Sequence, residues 1–443
     1  MTTRSTRTTK KNAAGATGAT GGARRSSTSK TASDIATSSS AAAPAIPLSE
    51  YTERRERVLR ELKDCVGLVF AGDAQANLHN EWRPTPHFEY LTGVVDEPGA
   101  VLLLDPTSPV PSRRTILFLK PLDPELEKWD GFRDTISQRL RDRYGASTIM
   151  RTLSMPNIVT DALRRARKAA CLHRFANYNA PVSPDLALFR DAAQRLPGLA
   201  IEDRTHVLAI MRAAKSKAEQ AMLRRAAEIT AKGYDDVVRM IRPGITEFDV
   251  QESLEHAYRT NGARGPAYRT IAGTGFNATV LHYHANREPL RAGELICIDS
   301  AAGYGGYSAD VTRTYPVDGR FTARQREIYE LVLAAEMAGI AAAKTGATFA
   351  EIDKAARDII VKAGYGDYFI HGIGHHLGLE THDITPDGPL PEGAVITVEP
   401  GIYLPDEKLG VRIEDDVLIG RSPTVLTSMI PKTVEDVERA MRG

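Results

Sequence analysis

The chain has 443 residues, 26% of them charged and 42% hydrophobic, enough for two or three domains with sizeable cores. Its 57 Lys/Arg and 56 Asp/Glu divide unevenly: seven basic residues and one acidic residue fall in the first 47, leaving 50 against 55 for the rest. That balance argues against a nucleic-acid binder, the lack of any apolar run of about 18 residues argues against a membrane span, and three isolated cysteines, Cys65, Cys171 and Cys297, fit free thiols in a reducing, cytoplasmic compartment.

Residues 1–47 are Thr, Ser, Ala and Gly with scattered Arg and Lys, too poor in large apolar groups to offset chain ordering, and are expected to form a disordered basic leader. The composition also suits an organelle transit peptide, but the apolar face of an amphipathic helix is missing. Order is expected from Pro47 onward, with a charged helix over residues 49–63. The short apolar runs VGLVFAG, AVLLLD and RTILFLK, separated by Gly, Pro and helical patterns, predict a mixed sheet with helices packed on it, an α/β (α+β) arrangement. We place a first domain at residues 48–205 and a second at 206–443, with the boundary in the stretch 200–214.

From Ser216 the helices are well marked. Ser216 with Glu219, Thr322 with Gln325 and Thr348 with Glu351 are capping boxes, and Thr246 with Asp249 is a weaker version. Gly244, Gly262, Gly346 and Gly364 follow the four helical runs as stops. The helices fall into two pairs, and each pair leads into strands that carry two carboxylates. Asp299 and Asp310 lie 55 and 66 residues past Gly244, Glu399 and Glu414 lie 53 and 68 past Gly346, and His282 and His382 lie 38 and 36 past the same glycines. This predicts a pseudo-twofold repeat with a site between its halves.

A single Asp at a strand end is usually a turn acid. Asp299, Asp310, His375, Glu399 and Glu414 as a set are different, since carboxylates buried together must be compensated by cations. A Gly-rich hairpin through Gly303, Gly305 and Gly306 can fold Asp310 beside Asp299, and a loop through Pro400, Gly401, Pro405 and Gly410 can do the same for Glu414 and Glu399. Carboxylates that bridge two divalent ions about 3.5–4 Å apart can clamp a hydrolytic transition state. One imidazole among four carboxylates favours Mn²⁺, with Co²⁺, Fe²⁺ or Zn²⁺ as alternatives. Strand alternation puts Asp415 on the face opposite Glu414; Asp415 and Asp416 are expected to be solvated or bonded to neighbouring backbone.

Histidines cluster at 282 and 284 and at 371, 375, 376 and 382. His371 and His375 are four apart, but Gly372 and Gly374 disfavour a helix, so a zinc-helix motif is rejected in favour of a loop that brings backbone close to a ligand. Imidazoles beside metals can bond a substrate carbonyl or move a proton to a leaving amine; His284 and His376 are expected to be structural. Gly273-Thr-Gly275-Phe-Asn-Ala278 imitates a dinucleotide-binding loop, but the residues after it offer no phosphate-binding helix.

The stretches VLHYHANRE, IDSAAGYGGYSADVTRTYPVDGRFTARQREIY, HGIGHHLGLETHD, TVEPGIY and VRIEDD resemble the proline-specific pita-bread metallopeptidases, with aminopeptidase P the closest match. RRERVLREL and FEYLTGVVDEPGAVLLLDP are similar to the amino-terminal domain of the same family. The resemblance implies a mixed-sheet first domain with flanking helices and a pseudo-twofold second domain with a curved antiparallel sheet. It further implies that Asp299 chelates one metal ion, that Asp310 and Glu414 bridge two, and that His375 and Glu399 complete the other. His282, His371 and His382 are implied to surround the substrate carbonyl and proline, with Tyr403 and Arg412 lining or bracing the site. The implied activity is release of an amino-terminal residue from Xaa-Pro peptides by a metal-bridging hydroxide, with Glu399 carrying the proton, in a homodimer or homotetramer. An Xaa-Pro dipeptidase with the same five ligands is the rival reading, and a non-catalytic binding protein on the same fold a weaker one.

Overall fold

The helix expected at residues 49–63 runs Leu48–Leu62 and is entered through Pro47. The structure, a computed structural model, describes residues 43–73 and 82–442; the leader expected at 1–47 lies outside the described residues up to position 42. The three expected strands are Val66–Phe70, Val101–Leu104 and Thr115–Leu119, antiparallel neighbours in that order. Three more strands join them in parallel: Ile149–Arg151, Lys168–Cys171 and Ala200–Asp203. These last three escape sequence reading because they are short and, as in KAAC and AIED, poor in β-branched residues.

Alternate residues of this mixed sheet enter two different cores, which is why its strands read as continuous apolar runs. Leu68, Leu103 and Phe118 pack with Leu163 and Phe189, from helices Met155–Ala166 and Pro184–Ala193. Val69, Leu102 and Leu117 pack on the other face with Leu62, Phe88 and Leu208, and that core continues into Leu223, Leu377 and Val395. The first sheet therefore shares a core with the part of the chain that carries the carboxylates.

Helices Lys217–Met240, Glu247–Thr260, Ala323–Ala342 and Phe349–Lys362 start at Ser216, Thr246, Thr322 and Thr348, each through a complete capping box. Thr246 and Asp249, the weaker pair on paper, close theirs at 2.8 and 3.1 Å. A repeat is visible in the packing too. Gly233 stands 17 residues after Ser216, and Gly339 stands 17 after Thr322. A Cβ at Gly233 would meet the Tyr258 ring at 2.5 Å, and one at Gly339 would meet Val398 at 2.8 Å. Each long helix uses the same position to approach its neighbour closely.

Strand Leu295–Asp299 lies between Ile271–Thr274 and Thr312–Pro316, antiparallel to both. In the second half, Val395–Val398 pairs antiparallel with Asp415–Leu418, and Gly401–Leu404 with Leu409–Arg412. The halves meet where Glu414 bridges to Thr312, with a 3.1 Å hydrogen bond from the Glu414 amide to the Thr312 carbonyl. Below them the buried Tyr234 hydroxyl donates to the carbonyls of Ile298 at 3.2 Å and Val311 at 2.8 Å, fixing helix Lys217–Met240 under the strands that present Asp299 and Asp310. Residues 275–279, in the dinucleotide-like stretch, form a short 3₁₀ turn and lead into no helix. Cys65, Cys171 and Cys297 are buried free thiols. No helix among the described residues is long and apolar enough to cross a membrane.

Candidate active site

Asp299 ends its strand, and the chain returns through a tight antiparallel pair, Ala302–Tyr304 with Tyr307–Ser308, turning on Gly305 and Gly306 at φ 52° and 92°. The return places Thr312 opposite Asp299 and leaves Asp310 at the mouth of the hairpin. Glu399 follows strand Val395–Val398 directly, and Glu414 directly precedes its partner, so the second half repeats the plan. His375 comes from a loop that runs along the same strand: Leu377 donates to the Val395 carbonyl, Thr397 to that of His375 and Glu399 to that of Ile373, all at 2.9 Å. Gly374 permits this approach, since a Cβ there would sit 2.1 Å from the Thr397 carbonyl oxygen.

These segments enclose a cavity of about 510 Å³ lined by all five sequence-derived ligand candidates together with His282, His371, His382 and Arg412. His375 Nε2 lies 3.5 Å from Asp310 Oδ2 and 3.5 Å from Glu399 Oε1. One ligating atom each from Asp310, His375 and Glu414 fall within 4.8 Å of one another, a spacing able to hold an ion. The imidazoles of His375 and His382 stack with centroids 3.8 Å apart.

Other side chains hold these in place. Asp299 accepts from the Tyr268 hydroxyl at 2.6 Å and from Arg412 at 2.7 Å. Thr312 Oγ1 donates to Glu414 at 2.7 Å, and Thr397 Oγ1 donates to Glu399 at 3.3 Å while accepting from the His375 amide at 3.1 Å. Tyr403 does not line the cavity: it is buried behind the wall, with its hydroxyl 2.8 Å from His371 Nε2 and 3.1 Å from Arg412. His284, expected to be structural, does line it, stacked on His282 at 6.3 Å. His376 is buried against Phe349, as a structural residue would be.

Asp415 and Asp416 are not solvated. Asp415 is fully buried, 2.7 Å from Arg313 and 2.6 Å from Lys432, which also reaches Glu336 at 2.6 Å. Asp416 accepts from the Asp310 amide at 3.2 Å, a bond to backbone 106 positions away and not to neighbouring backbone. Asp415 is enclosed because the face opposite Glu414 lies in the core, whereas Asp416, on the same face as Glu414, is covered by the backbone of Asp310. Tyr268, Thr312 and Thr397 are the supporting groups that sequence reading missed; isolated hydroxyls in apolar runs carry no motif.

Burial first, then neighbouring acids, pushes Asp310 and Glu414 well above the usual carboxylate range, and burial with Asp299 pushes Glu399 to about 7. Burial pulls His375 and His371 down to about 4, so both imidazoles are neutral at physiological pH. Acids that oppose one another's ionisation beside a neutral imidazole with a free ring nitrogen are what a divalent cation neutralises. The donor set thus fits divalent metal. A second cavity of about 510 Å³, beside Arg55, Arg60 and Arg114, has Glu56 as its one acidic lining residue.

Residues 221–421 match Metallopeptidase family M24, and residues 51–171 match the family described as Aminopeptidase P, N-terminal domain. An Xaa-Pro aminopeptidase of Haemophilus influenzae is 33% identical over 395 residues, 81% of this chain and 88% of that protein. The Xaa-Pro aminopeptidase of Escherichia coli is 33% identical over 84% of this chain and 93% of its own length. An Xaa-Pro dipeptidase of Pyrococcus furiosus is 43% identical, but over 48% of this chain and 62% of that protein. Among solved structures, aminopeptidase PepP of Pseudomonas aeruginosa superposes with a TM-score of 0.80 at 31% identity, covering 90% of this chain and 98% of that one.

Proposed function

The chain belongs to metallopeptidase family M24, and from that membership we infer a metal-dependent exopeptidase that releases the amino-terminal residue from peptides with proline in second position. The observation that carries the substrate class is the extent of the likeness. The Xaa-Pro aminopeptidases match 81% and 84% of the chain, through the first sheet as well as the carboxylate-bearing part. The dipeptidase likeness is higher in identity but confined to about half of the chain, which supports Xaa-Pro dipeptidase as the second reading.

We assign Asp299, Asp310, His375, Glu399 and Glu414 as ligands of two divalent ions, with Mn²⁺ favoured by the oxygen-rich donor set. Such ions supply Lewis-acid polarisation of the scissile carbonyl and make a water acidic enough to attack near neutral pH. Glu399 accepts the proton of the attacking water and passes it to the prolyl nitrogen. His282 and His382 face the carbonyl oxygen from the cavity wall. His371, neutral and held by Tyr403, orients the proline side, and Arg412 holds Asp299 in place. Tyr403 acts through His371 and Arg412, which stand between it and the cavity.

In this reading residues 48–205 and 206–443 are two domains packed on a shared core, the protein works in the cytoplasm, and it forms a homodimer or homotetramer. Its partners are Xaa-Pro peptides. The test is a paired assay of Xaa-Pro-Xaa tripeptide and Xaa-Pro dipeptide, with metal content measured on the same sample. Free amino-terminal residue released from the tripeptide, and none after the amino group is acetylated, is the expected result; cleavage of dipeptide alone transfers the assignment to the second reading.

A further inference from the structure

Behind the stacked His375 and His382 lies a buried charged network that the chemistry above does not use. Arg212, on helix Thr205–Ala213 between the first sheet and the long helix, has a side chain 3% exposed. It ion-pairs with Asp383, itself 2% exposed, and with Glu380 at 2.9 Å. Lys215 adds a second cation 3.3 Å from Asp383. On its other side Arg212 reaches His87 Nδ1 at 3.0 Å, a residue of helix Pro86–Thr92 that packs on the first sheet. Burial and the nearby Arg212 hold His87 well below its usual pKa, so it stands as a neutral acceptor.

Glu380 and Asp383 bracket His382. The loop that carries them closes on itself: the Asp383 amide donates to the His376 carbonyl at 2.8 Å, Asp383 Oδ1 accepts from the Ile384 amide at 3.0 Å, and the Gly378 amide donates to the Glu380 carbonyl at 3.0 Å. Gly378 touches Asp383 so closely that a Cβ would lie 2.2 Å from its carboxylate. Among the described residues, His382 is held on the cavity side by its stack on His375, whereas the loop's rear is clamped by two cations in a desolvated setting.

We propose that Arg212, with Lys215, is a positioning residue of the active site, clamping the His376–Asp383 loop through Asp383 so that His382 stays stacked on His375, and tying that placement to the first sheet through His87. Breaking a buried pair leaves an uncompensated charge and a loosened loop. The link also gives the first sheet a part in catalysis beyond any contact with peptide. The inference uses the assignment of His382 to the substrate, and its test separates the two.

Hydrogen exchange is followed in metal-free Arg212→Lys and Asp383→Asn proteins, and kcat and KM are measured on the metal-loaded forms. Amides of Gly378, Asp383 and Ile384 are expected to exchange about tenfold or more faster in Asp383→Asn, with strands Leu295–Asp299 and Thr312–Pro316 unchanged. On Xaa-Pro-Xaa peptide, kcat is expected to fall by about tenfold or more while KM holds within about twofold, and Arg212→Lys to recover part of it. Unchanged loop protection, or protection lost uniformly through the protein, overturns the clamp. Faster loop exchange with unaltered kcat also overturns it, unless His382→Ala is itself fully active, in which case the assignment of His382 fails and the clamp stands as a loop anchor.

Discussion

Arg412 donates from one terminal nitrogen to Asp299 at 2.7 Å and from the other to the Tyr403 hydroxyl at 3.1 Å. Asp299 closes a strand of the first half of the repeat and Arg412 closes one of the second, so this pair spans the halves inside the cavity wall. Burial should depress a guanidinium, yet surrounding acids and Tyr403 outweigh it and keep Arg412 well above its ordinary value. It is a fixed cation.

Replacing it tests that role. Arg412→Met should cost the metal-free protein ~1–3 kcal/mol in denaturant unfolding, because the half-buried Asp299 loses its cation and keeps only the Tyr268 hydroxyl. Arg412→Lys should restore part of this, since an ammonium can hold Asp299 but cannot span to Tyr403 as well. Equal midpoints for the Met and Lys variants would show that the charge contributes nothing.

Asp310→Asn and Glu414→Gln keep the shape of the site and remove one negative charge each. Turnover should fall by about 100-fold or more, beyond the range typical of outer-shell substitutions, with a matching loss of bound metal by elemental analysis. Full activity after exhaustive chelation and dialysis would sink the metal reading.

The pH response of chelated protein follows from the shifts. Glu399 is raised to about 7 from 4.5, so its contribution is present below about pH 4.5 and is lost as pH rises through 7. Asp310 and Glu414, also raised, act in the same sense. His371 and His376, lowered to about 4 from 6.5, act oppositely: their contribution is present above 6.5 and lost as pH falls toward 4. Chelated protein should therefore lose stability above about pH 6.5, where the imidazoles' gain is complete and the acids still titrate, and one metal concentration, 100 times the Kd at pH 7.5, should recover ~2.7 kcal/mol there and less at pH 5. Thermal denaturation at pH 5 and 7.5, with and without metal, measures this; an equal metal effect at both values would contradict it.

Gly339→Ala should destabilise by ~1–3 kcal/mol, the cost of overpacking, because its Cβ would stand 2.8 Å from Val398, the residue before Glu399. Turnover of the folded fraction should drop with it if the helix pushes that strand aside. A thermal midpoint equal to the parent's would refute the close-packing account.

How much was legible in sequence depended on whether a signal was local. Capping boxes at Ser216, Thr246, Thr322 and Thr348 mark helix starts within three residues, and all four appear as read. The spacing of Asp299, Asp310, Glu399 and Glu414 carried the repeat, and the cavity gathers all four with His375. The strands KAAC and AIED had no local signal, since their pairing depends on neighbours more than 25 residues away. Asp415 and Asp416 misled for a related reason: a surface turn acid and a buried ion-paired acid are the same letter until Arg313 and Lys432 arrive from elsewhere. His284 was passed over because one imidazole in LHYH cannot be told from the other without knowing which way the loop faces.

Lys432 grips Asp415 and Glu336 from the last segment before the terminal helix Val434–Ala440. Asp415 keeps Arg313 as a second cation, but Glu336 has no other ion-pair partner among the described residues. A chain cut before Lys432 is therefore expected to leave a buried carboxylate uncompensated on the core side of the strand that follows Glu414.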